Sequence, residues 1–451
     1  MKRFSIKNDI YPLYRLVIPL AFTGLVQSAA WFFETLFLAH LNAETLAAGA
    51  LVSWLFGTLA VILFGTLGAI NILVAHKHGA NDKKGIALVA RDGLLLALIL
   101  VIPTFILFWN MSPIFLLFGQ SKAVAALAQP YLRAVAWGLP ASFVYMALLE
   151  IIIGIGQARI ILFFSILVTA LNIISSYLFI FGKFGFPALG IAGAGWGMTT
   201  SGWITAVILI IYIASRAMYR EYFCEVFKLH RPKYLFELIQ VGAPIGLMYC
   251  VEVAFFFALT LLMGMFGSRV QAANQVILQY LGLFMSIMFS IAQAITVRMG
   301  HLLGNKEIHN AKRAANIGVI TAAGLAGVIS ILIWCAPRAF ISVDFDLNDP
   351  SNHAIVNDII KLLMISAIFQ IFESARIAYF GALRGLKDTK FTLLTSIISF
   401  WIIAIPIGYV FAIYFKYGAI GFWYGMLISV ICSVAMLWKR FQIVISRSKL
   451  S

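Results

Sequence analysis

Apolar runs of 18 to 30 residues follow one another along almost the whole chain, separated by short polar or basic intervals. About 20 such residues coiled as a helix cross the hydrocarbon core of a bilayer. The pattern predicts about twelve spans, near 12–38, 46–72, 91–117, 127–153, 160–182, 188–214, 236–264, 271–297, 314–335, 355–381, 391–413 and 418–438. The runs are continuous rather than alternating, which excludes a membrane β-barrel, the other architecture that satisfies every backbone group in lipid. The fold class is therefore all-α polytopic membrane protein.

Within this apolar background a few polar side chains stand out. Glu252 lies near the middle of the seventh span, and no Lys, Arg or His occurs between Pro244 and Gly267. A carboxylate at bilayer depth costs roughly 2.5–3.5 kcal/mol on insertion scales and marks an ion or substrate path. The next span carries Gln275, Gln279, Ser286, Ser290 and Gln293 on one helical face. An unpaired acid opposite that polar stripe is expected to form a wetted cation site. Glu34 shares a face with Thr23 and Gln27 in the first span, and Glu373 shares one with Ser366 and Gln370 in the tenth. Arg376, three residues on from Glu373, either pairs with it or faces another helix. Glu150, at the inner end of the fourth span, is expected to snorkel to the cytoplasmic edge or pair there with Arg159. Asn172 in the fifth is a hydrogen-bonding candidate.

Composition agrees: 62% of the 451 residues are hydrophobic and 11% charged, against about 25% charged in soluble domains. The net charge of +16 would suit nucleic acid, but its distribution argues against such a partner. Lys and Arg gather in alternate loops, as in Lys77 to Arg91, Arg216 to Lys233, Arg298 to Arg313 and Arg384 to Lys390. The terminal Lys2, Arg3, Lys7, Lys439, Arg440, Arg447 and Lys449 add to them. By the positive-inside rule these segments and both termini face the cytoplasm. The start reads as a retained first helix rather than a cleaved signal. Cys224, Cys250, Cys335 and Cys432 are dispersed, without metal spacing or a disulfide framework. No phosphate loop, metal cluster or nucleophile–base set is present, so the chain is not expected to be an enzyme or to carry a cofactor. Its energy source is expected to be an ion gradient, H⁺ or Na⁺.

The chain also repeats itself. A shift of 225 positions carries Pro19 to Pro244, His76 to His301, Gly79 to Gly304 and Asp82 to Glu307. A shift of 231 carries Gly154 to Gly385, and one of 228 carries Gly190, Gly193 and Gly197 to Gly418, Gly421 and Gly425. The expected organisation is a six-helix lobe over 1–214, a basic cytoplasmic linker over 215–235 and a second lobe over 236–451, the lobes related by a pseudo-two-fold axis. Parallel repeats of this kind are a transporter architecture, with alternating access by rocking of one bundle. In the repeat Gln27 takes the place of Glu252, and Leu259 that of Glu34.

These residues point to a family. The chain resembles multidrug and toxic compound extrusion (MATE) transporters of the norfloxacin-exporter-like branch. The passages that carry the resemblance are Gly242-Ala243-Pro244-Ile245-Gly246 followed by Glu252; Ala272-Ala273-Asn274-Gln275; Val297-Arg298-Met299-Gly300; and Gly381-Ala382-Leu383-Arg384-Gly385-Leu386-Lys387-Asp388-Thr389. The resemblance implies two six-helix lobes forming a V and export of small organic cations or amphipathic compounds against H⁺ or Na⁺. It also implies a monomer in the bacterial inner membrane. Its coupling acids fall on Glu34, Glu252 and Glu373, with Glu252 and Glu373 also the metal ligands if the ion is Na⁺. The same two acids, with Gln275, Gln279 and Asn172, are then the substrate-binding set. The chain departs from the family pattern in three ways: Glu34 and Glu373 stand where Asp is usual, Arg376 stands where a neutral residue is, and Ser175 and Ser176 follow Asn172 where related chains often carry another acid or amide. A lipid-linked precursor flippase or metabolite exporter of the same superfamily, and a non-transporting scaffold or receptor, are the alternative readings.

Overall fold

A computed structural model describes residues 11–447 apart from Asn42, Phe118, Phe227, Leu229, His230 and Asn348. Lys2, Arg3, Lys7 and Lys449 of the basic termini lie outside the described residues. Among the described residues, twelve helices are long and apolar enough to cross a membrane: α1 (Tyr11–Leu38), α2 (Glu44–Gly79), α3 (Lys83–Trp109), α4 (Lys122–Gly154), α5 (Ala158–Phe181), α6 (Ile191–Ser215), α7 (Leu235–Gly264), α8 (Ser268–Gly304), α9 (Ile308–Cys335), α10 (His353–Gly385), α11 (Thr389–Tyr414) and α12 (Ala419–Arg447). Strands are absent among the described residues. Each predicted span has its helix, and most helices run past the predicted ends. The apolar run measures only the part in hydrocarbon, whereas backbone hydrogen bonds carry the helix on into the polar region. The 37 residues of α8 amount to about 55 Å at 1.5 Å per residue, well beyond the bilayer core.

Two helices are irregular, one at a glycine and one on either side of a proline. In α2 the α-helical hydrogen bonding breaks at Gly68, between Ala43–Leu67 and Ala69–Gly79. In α11, Ile397–Ala404 and Val410–Tyr414 widen to π-helical geometry on either side of Pro406. Proline removes a backbone donor and its ring crowds the preceding turn, and wide π turns are frequent at functional positions.

Cα packing divides the chain into two compact units, Ile18–Gly246, and Leu247–Ser451 together with the described residues up to Val17. Each unit makes the same partner choices. In the first, α4 packs along α2, α3 and α6, and α6 on α5; in the second, α10 packs along α8, α9 and α12, and α12 on α11. The boundary within α7 has a local cause. A Cβ on Gly242 would lie 2.2 Å from the Thr66 carbonyl oxygen, so the glycine-containing start of α7 can rest directly on the backbone of α2. Asp92, fully buried in α3, anchors the approach to that helix. Its carboxylate accepts the backbone N–H groups of Lys233 and Tyr234 at 2.7 and 2.6 Å, and Arg91 donates to it at 2.9 Å and to the Arg231 carbonyl at 3.2 Å. An acid that receives the free N–H groups preceding a helix stabilises its start.

The repeated glycines sit where helices cross. A Cβ on Gly193 would come within 2.5 Å of the Phe179 backbone, and one on Gly421 within 2.3 Å of the Ala412 nitrogen. Neither neighbour is a flexible side-chain tip that can swing aside. Gly193→Val and Gly421→Val are each expected to cost about 1–3 kcal/mol or more through overpacking, read as a lower unfolding temperature in detergent. Gly282→Ala, which meets nothing within 4 Å, serves as the neutral control.

Candidate functional site: two buried carboxylate clusters

In the second unit α7, α10 and α11 bring four polar side chains together inside apolar packing. Glu373 and Arg376 project from one face of α10, as a three-residue spacing requires. Arg376 donates through Nε to Glu373 Oε2 at 2.7 Å and through Nη2 to Oε1 at 2.5 Å. Its Nη1 reaches Glu252 Oε1 at 2.7 Å, and the Ser396 hydroxyl of α11 donates to the same oxygen at 2.8 Å. Arg376 and Glu373 are 1% exposed and Glu252 6%. Aromatic rings flank the guanidinium: its Cζ lies 4.6 Å from the Phe380 centroid and 4.8 Å from that of Phe400. Phe255 stacks on Phe400 in turn, with centroids 4.6 Å apart. Ser396 and Phe400 sit at the start of the widened stretch of α11, so the irregular backbone of that helix meets the cluster.

Glu252 is therefore paired, which corrects the expectation of an unpartnered acid facing α8. Its hydrogen bonds run to α10 and α11, while Gln275 and Gln279 are exposed and form no bond to it. The Ser286 hydroxyl donates to the Leu283 carbonyl, and that of Ser290 to the Ser286 carbonyl. Proximity along the chain suggested α8 as the partner. The true partner, Arg376, is 124 positions away, a distance at which residue spacing carries no register information. The pairing of Arg376 with Glu373 was one of the two arrangements that their spacing on one helix left open. Two carboxylates and one guanidinium leave a net charge of −1. Ionic groups withdrawn from water persist only when paired and hydrogen-bonded, and here three of the four carboxylate oxygens are so engaged.

The first unit holds a different cluster. Glu34 of α1, 4% exposed, accepts the hydroxyls of Ser53 in α2 at 3.1 Å and of Tyr131 in α4 in a very short contact. No cationic side chain pairs with Glu34 among the described residues. Thr23 donates to the Pro19 carbonyl of its own helix and Gln27 is exposed, so of the expected polar face only Glu34 enters the cluster. Ser53 and Tyr131 were missed; a phenol deep in the apolar fourth span was the available signal. Asn172 is half-buried and accepts a 3.4 Å bond from Ser176 in its own helix, away from Glu34. Glu150 is buried and accepts the Asn71 side-chain amide, while Arg159 is exposed. The equivalent contact in the second unit joins the Thr296 hydroxyl to the Gly381 carbonyl at 2.8 Å.

By the repeat, the positions of Glu34, Ser53 and Tyr131 are held in the second half by Leu259, Leu278 and Leu362, the first and last in the hydrophobic core and Leu278 packed against it. Those of Glu252, Glu373, Arg376 and Ser396 are held in the first half by Gln27, Ser142, Tyr145 and Ser165, none of them charged. Each unit thus buries one carboxylate cluster where the other is uncharged. Among the described residues no three His, Cys, Asp or Glu side chains are placed to hold a metal ion.

Twelve membrane helices carrying buried ionisable clusters define an integral membrane protein of the transporter class. The MatE family model matches residues 19–178 and 244–410, and the chain belongs to that family, the MATE transporters. It is 31% identical to a probable multidrug resistance protein NorM of Pseudomonas putida, over 96% of this chain and 94% of the relative. It is 32% identical to one of Burkholderia mallei, over 94% and 91%. In fold it matches an outward-facing multidrug resistance MATE family transporter of the MOP superfamily with a TM-score of 0.87 at 20% identity, over 98% of this chain and 96% of that one. A MOP superfamily transporter from Pyrococcus furiosus, described as having a binding pocket of reverse polarity, matches at 0.85 over 97% and 96%, also at 20% identity.

The ionic cluster makes its own stability prediction. Arg376→Met leaves two buried carboxylates without their counter-charge and is expected to cost about 3–5 kcal/mol. The double substitution Arg376→Met with Glu373→Met should recover part of that loss, read as detergent-solubilised unfolding temperature. Equal destabilisation by the single and double variants would show that the ion pair does not determine the fold here.

Proposed function

We propose that the protein is a secondary active exporter of small organic cations and amphipathic compounds, driven by inward flow of H⁺ or Na⁺. The observation that carries this reading is a desolvated acid cluster in the second unit with one negative charge in excess. Such a cluster attracts a cation and releases it when another takes its place. The NorM relatives, named as multidrug resistance proteins, support the substrate class. Glu252 and Glu373 serve as the shared site for coupling ion and substrate, and Glu34 as a second coupling acid. Gln275, Gln279 and Asn172 contribute hydrogen bonds along the substrate path. Were the ion Na⁺, Glu252 and Glu373 would be its ligands.

Transport proceeds by alternating access, with two six-helix lobes joined by the basic linker over 215–235. The protein works as a monomer in the bacterial inner membrane with both termini cytoplasmic, the side to which the alternate basic loops assign them. Export of a lipid-linked anion would favour a net positive cluster, and the excess negative charge argues for the cation reading instead.

The reading is tested by loading everted vesicles with a cationic dye under an imposed ion gradient. Glu252→Gln and Glu34→Gln are each expected to reduce accumulation roughly 5–150-fold, the range of ordinary coupling energies. Accumulation at wild-type levels in Glu252→Gln would remove the second-unit cluster from the mechanism.

A further inference from the structure

We propose that Arg376 converts the second-unit cluster into a one-charge site that takes a single proton on Glu252 or a single organic monocation in exchange, and excludes Na⁺. This rests on the exporter reading and goes beyond it by assigning the coupling ion and the charge exchanged.

The argument counts oxygens. Both Glu373 oxygens accept from Arg376, at 2.5 and 2.7 Å. Glu252 Oε1 accepts from Arg376 and from Ser396, at 2.7 and 2.8 Å. Glu252 Oε2 is the one carboxylate oxygen of the cluster that no side chain engages among the described residues. A proton arriving from water forms one O–H bond there and breaks none of the four hydrogen bonds, and the cluster becomes neutral. On release the O–H bond breaks and the proton returns to water, with nothing oxidised or reduced. A hard metal cation instead gathers several oxygen ligands. Here it would find a single uncommitted carboxylate oxygen, beside a fixed guanidinium of the same sign.

The guanidinium is a permanent part of the site. It does not deprotonate in proteins, and Phe380 and Phe400 hold it on two sides. No other charged side chain bonds Glu252 among the described residues, while Arg384 of α10 reaches α7 one turn away, 5.2 Å from the Tyr249 ring centroid and 4.0 Å from Met248 Sδ. The basic residues of α8, Arg269, Arg298 and His301, lie in its first or last two turns, and those of α9, His309, Lys312 and Arg313, in its first two. Asp358, Lys361 and Arg384 of α10, Lys390 of α11, and Lys439, Arg440 and Arg447 of α12 lie toward the ends of their helices. An organic cation meets a different test from Na⁺. Its charge is diffuse and weakly hydrated, so it needs a negative field and aromatic faces rather than a cage of oxygens.

The experiment uses the full chain in proteoliposomes with the lipophilic monocation tetraphenylphosphonium. A pH gradient at matched Na⁺ should drive its movement, and a Na⁺ gradient at matched pH should not. In weakly buffered detergent solution its binding should release one proton per protein from this cluster, measured in Glu34→Gln to silence the other acid, and none in Glu34→Gln with Glu252→Gln. Arg376→Gln, which leaves two negative charges, should make binding of the probe sensitive to Na⁺ at constant ionic strength. Flux of the wild-type protein driven by Na⁺ alone would overturn the one-charge site and leave the exporter standing. No flux under either gradient, with no binding of the probe, would sink the exporter reading itself. Should Arg376→Gln fail to fold, the two-gradient comparison on the wild type decides the matter alone.

Discussion

The second unit is organised around a guanidinium that serves two carboxylates at once. Arg376 grips Glu373 on its own helix with two parallel bonds and extends its remaining arm to Glu252 on α7. Bidentate, charge-assisted contacts of this kind fix orientation as well as energy. They explain how α7, α10 and α11 tolerate ionised groups amid the apolar packing around Phe255, Phe369 and Phe400. A lysine would supply a point charge without the planar fork or the faces that lie against Phe380 and Phe400. The cluster is thus both a joint between helices and a reservoir of one unneutralised charge.

The internal repeat gives both units the same helix-to-helix packing but not the same polar chemistry. Gly193 and Gly421 occupy equivalent crossings and meet equivalent backbones, because a close approach between helices depends on shape alone. The acids obey a different constraint. Glu34 finds neutral hydroxyl donors, Ser53 and Tyr131, where the other half has three leucines. Glu252 and Glu373 find an arginine where the first half has Tyr145. A buried charge is costly wherever it is placed, and at these two pairs of equivalent positions one unit carries the acids while the other has uncharged side chains.

Much of the fold was legible in the chain because lipid imposes one dominant rule. An apolar run of sufficient length is a helix, and all twelve appear among the described residues; most outlast the hydrocarbon, while α3 begins earlier than predicted and stops at Trp109, eight residues short of its predicted end. The site was legible in its acids and not in their partners. Glu34, Glu252 and Glu373 are conspicuous because charge at depth is rare, and helical spacing allows Arg376 to pair with Glu373. Ser53, Tyr131 and Ser396 are ordinary residues whose importance comes from which helix faces which. That information lies in tertiary packing, and for Glu252 the neighbour in sequence, α8, was a poor guide to the neighbour in space. Asp92 was missed for a similar reason: its partners are backbone N–H groups of the segment leading into α7, which no side-chain pattern announces.

The two clusters differ in what their surroundings can do to a proton. Around Glu34 every partner is a neutral hydroxyl that can donate to a carboxylate or turn to accept from a carboxylic acid, so the contacts survive a change of charge. Around Glu252 and Glu373 the main partner can only donate, and three oxygens are committed to hydrogen bonds that require them unprotonated. Protonation there has one open position, Glu252 Oε2, and reaching it leaves the guanidinium bound to Glu373. A charge change in the second unit therefore need not dismantle the joint between α7 and α10. It removes the net negative charge that a substrate cation meets while the helices that create the site keep their hold on one another.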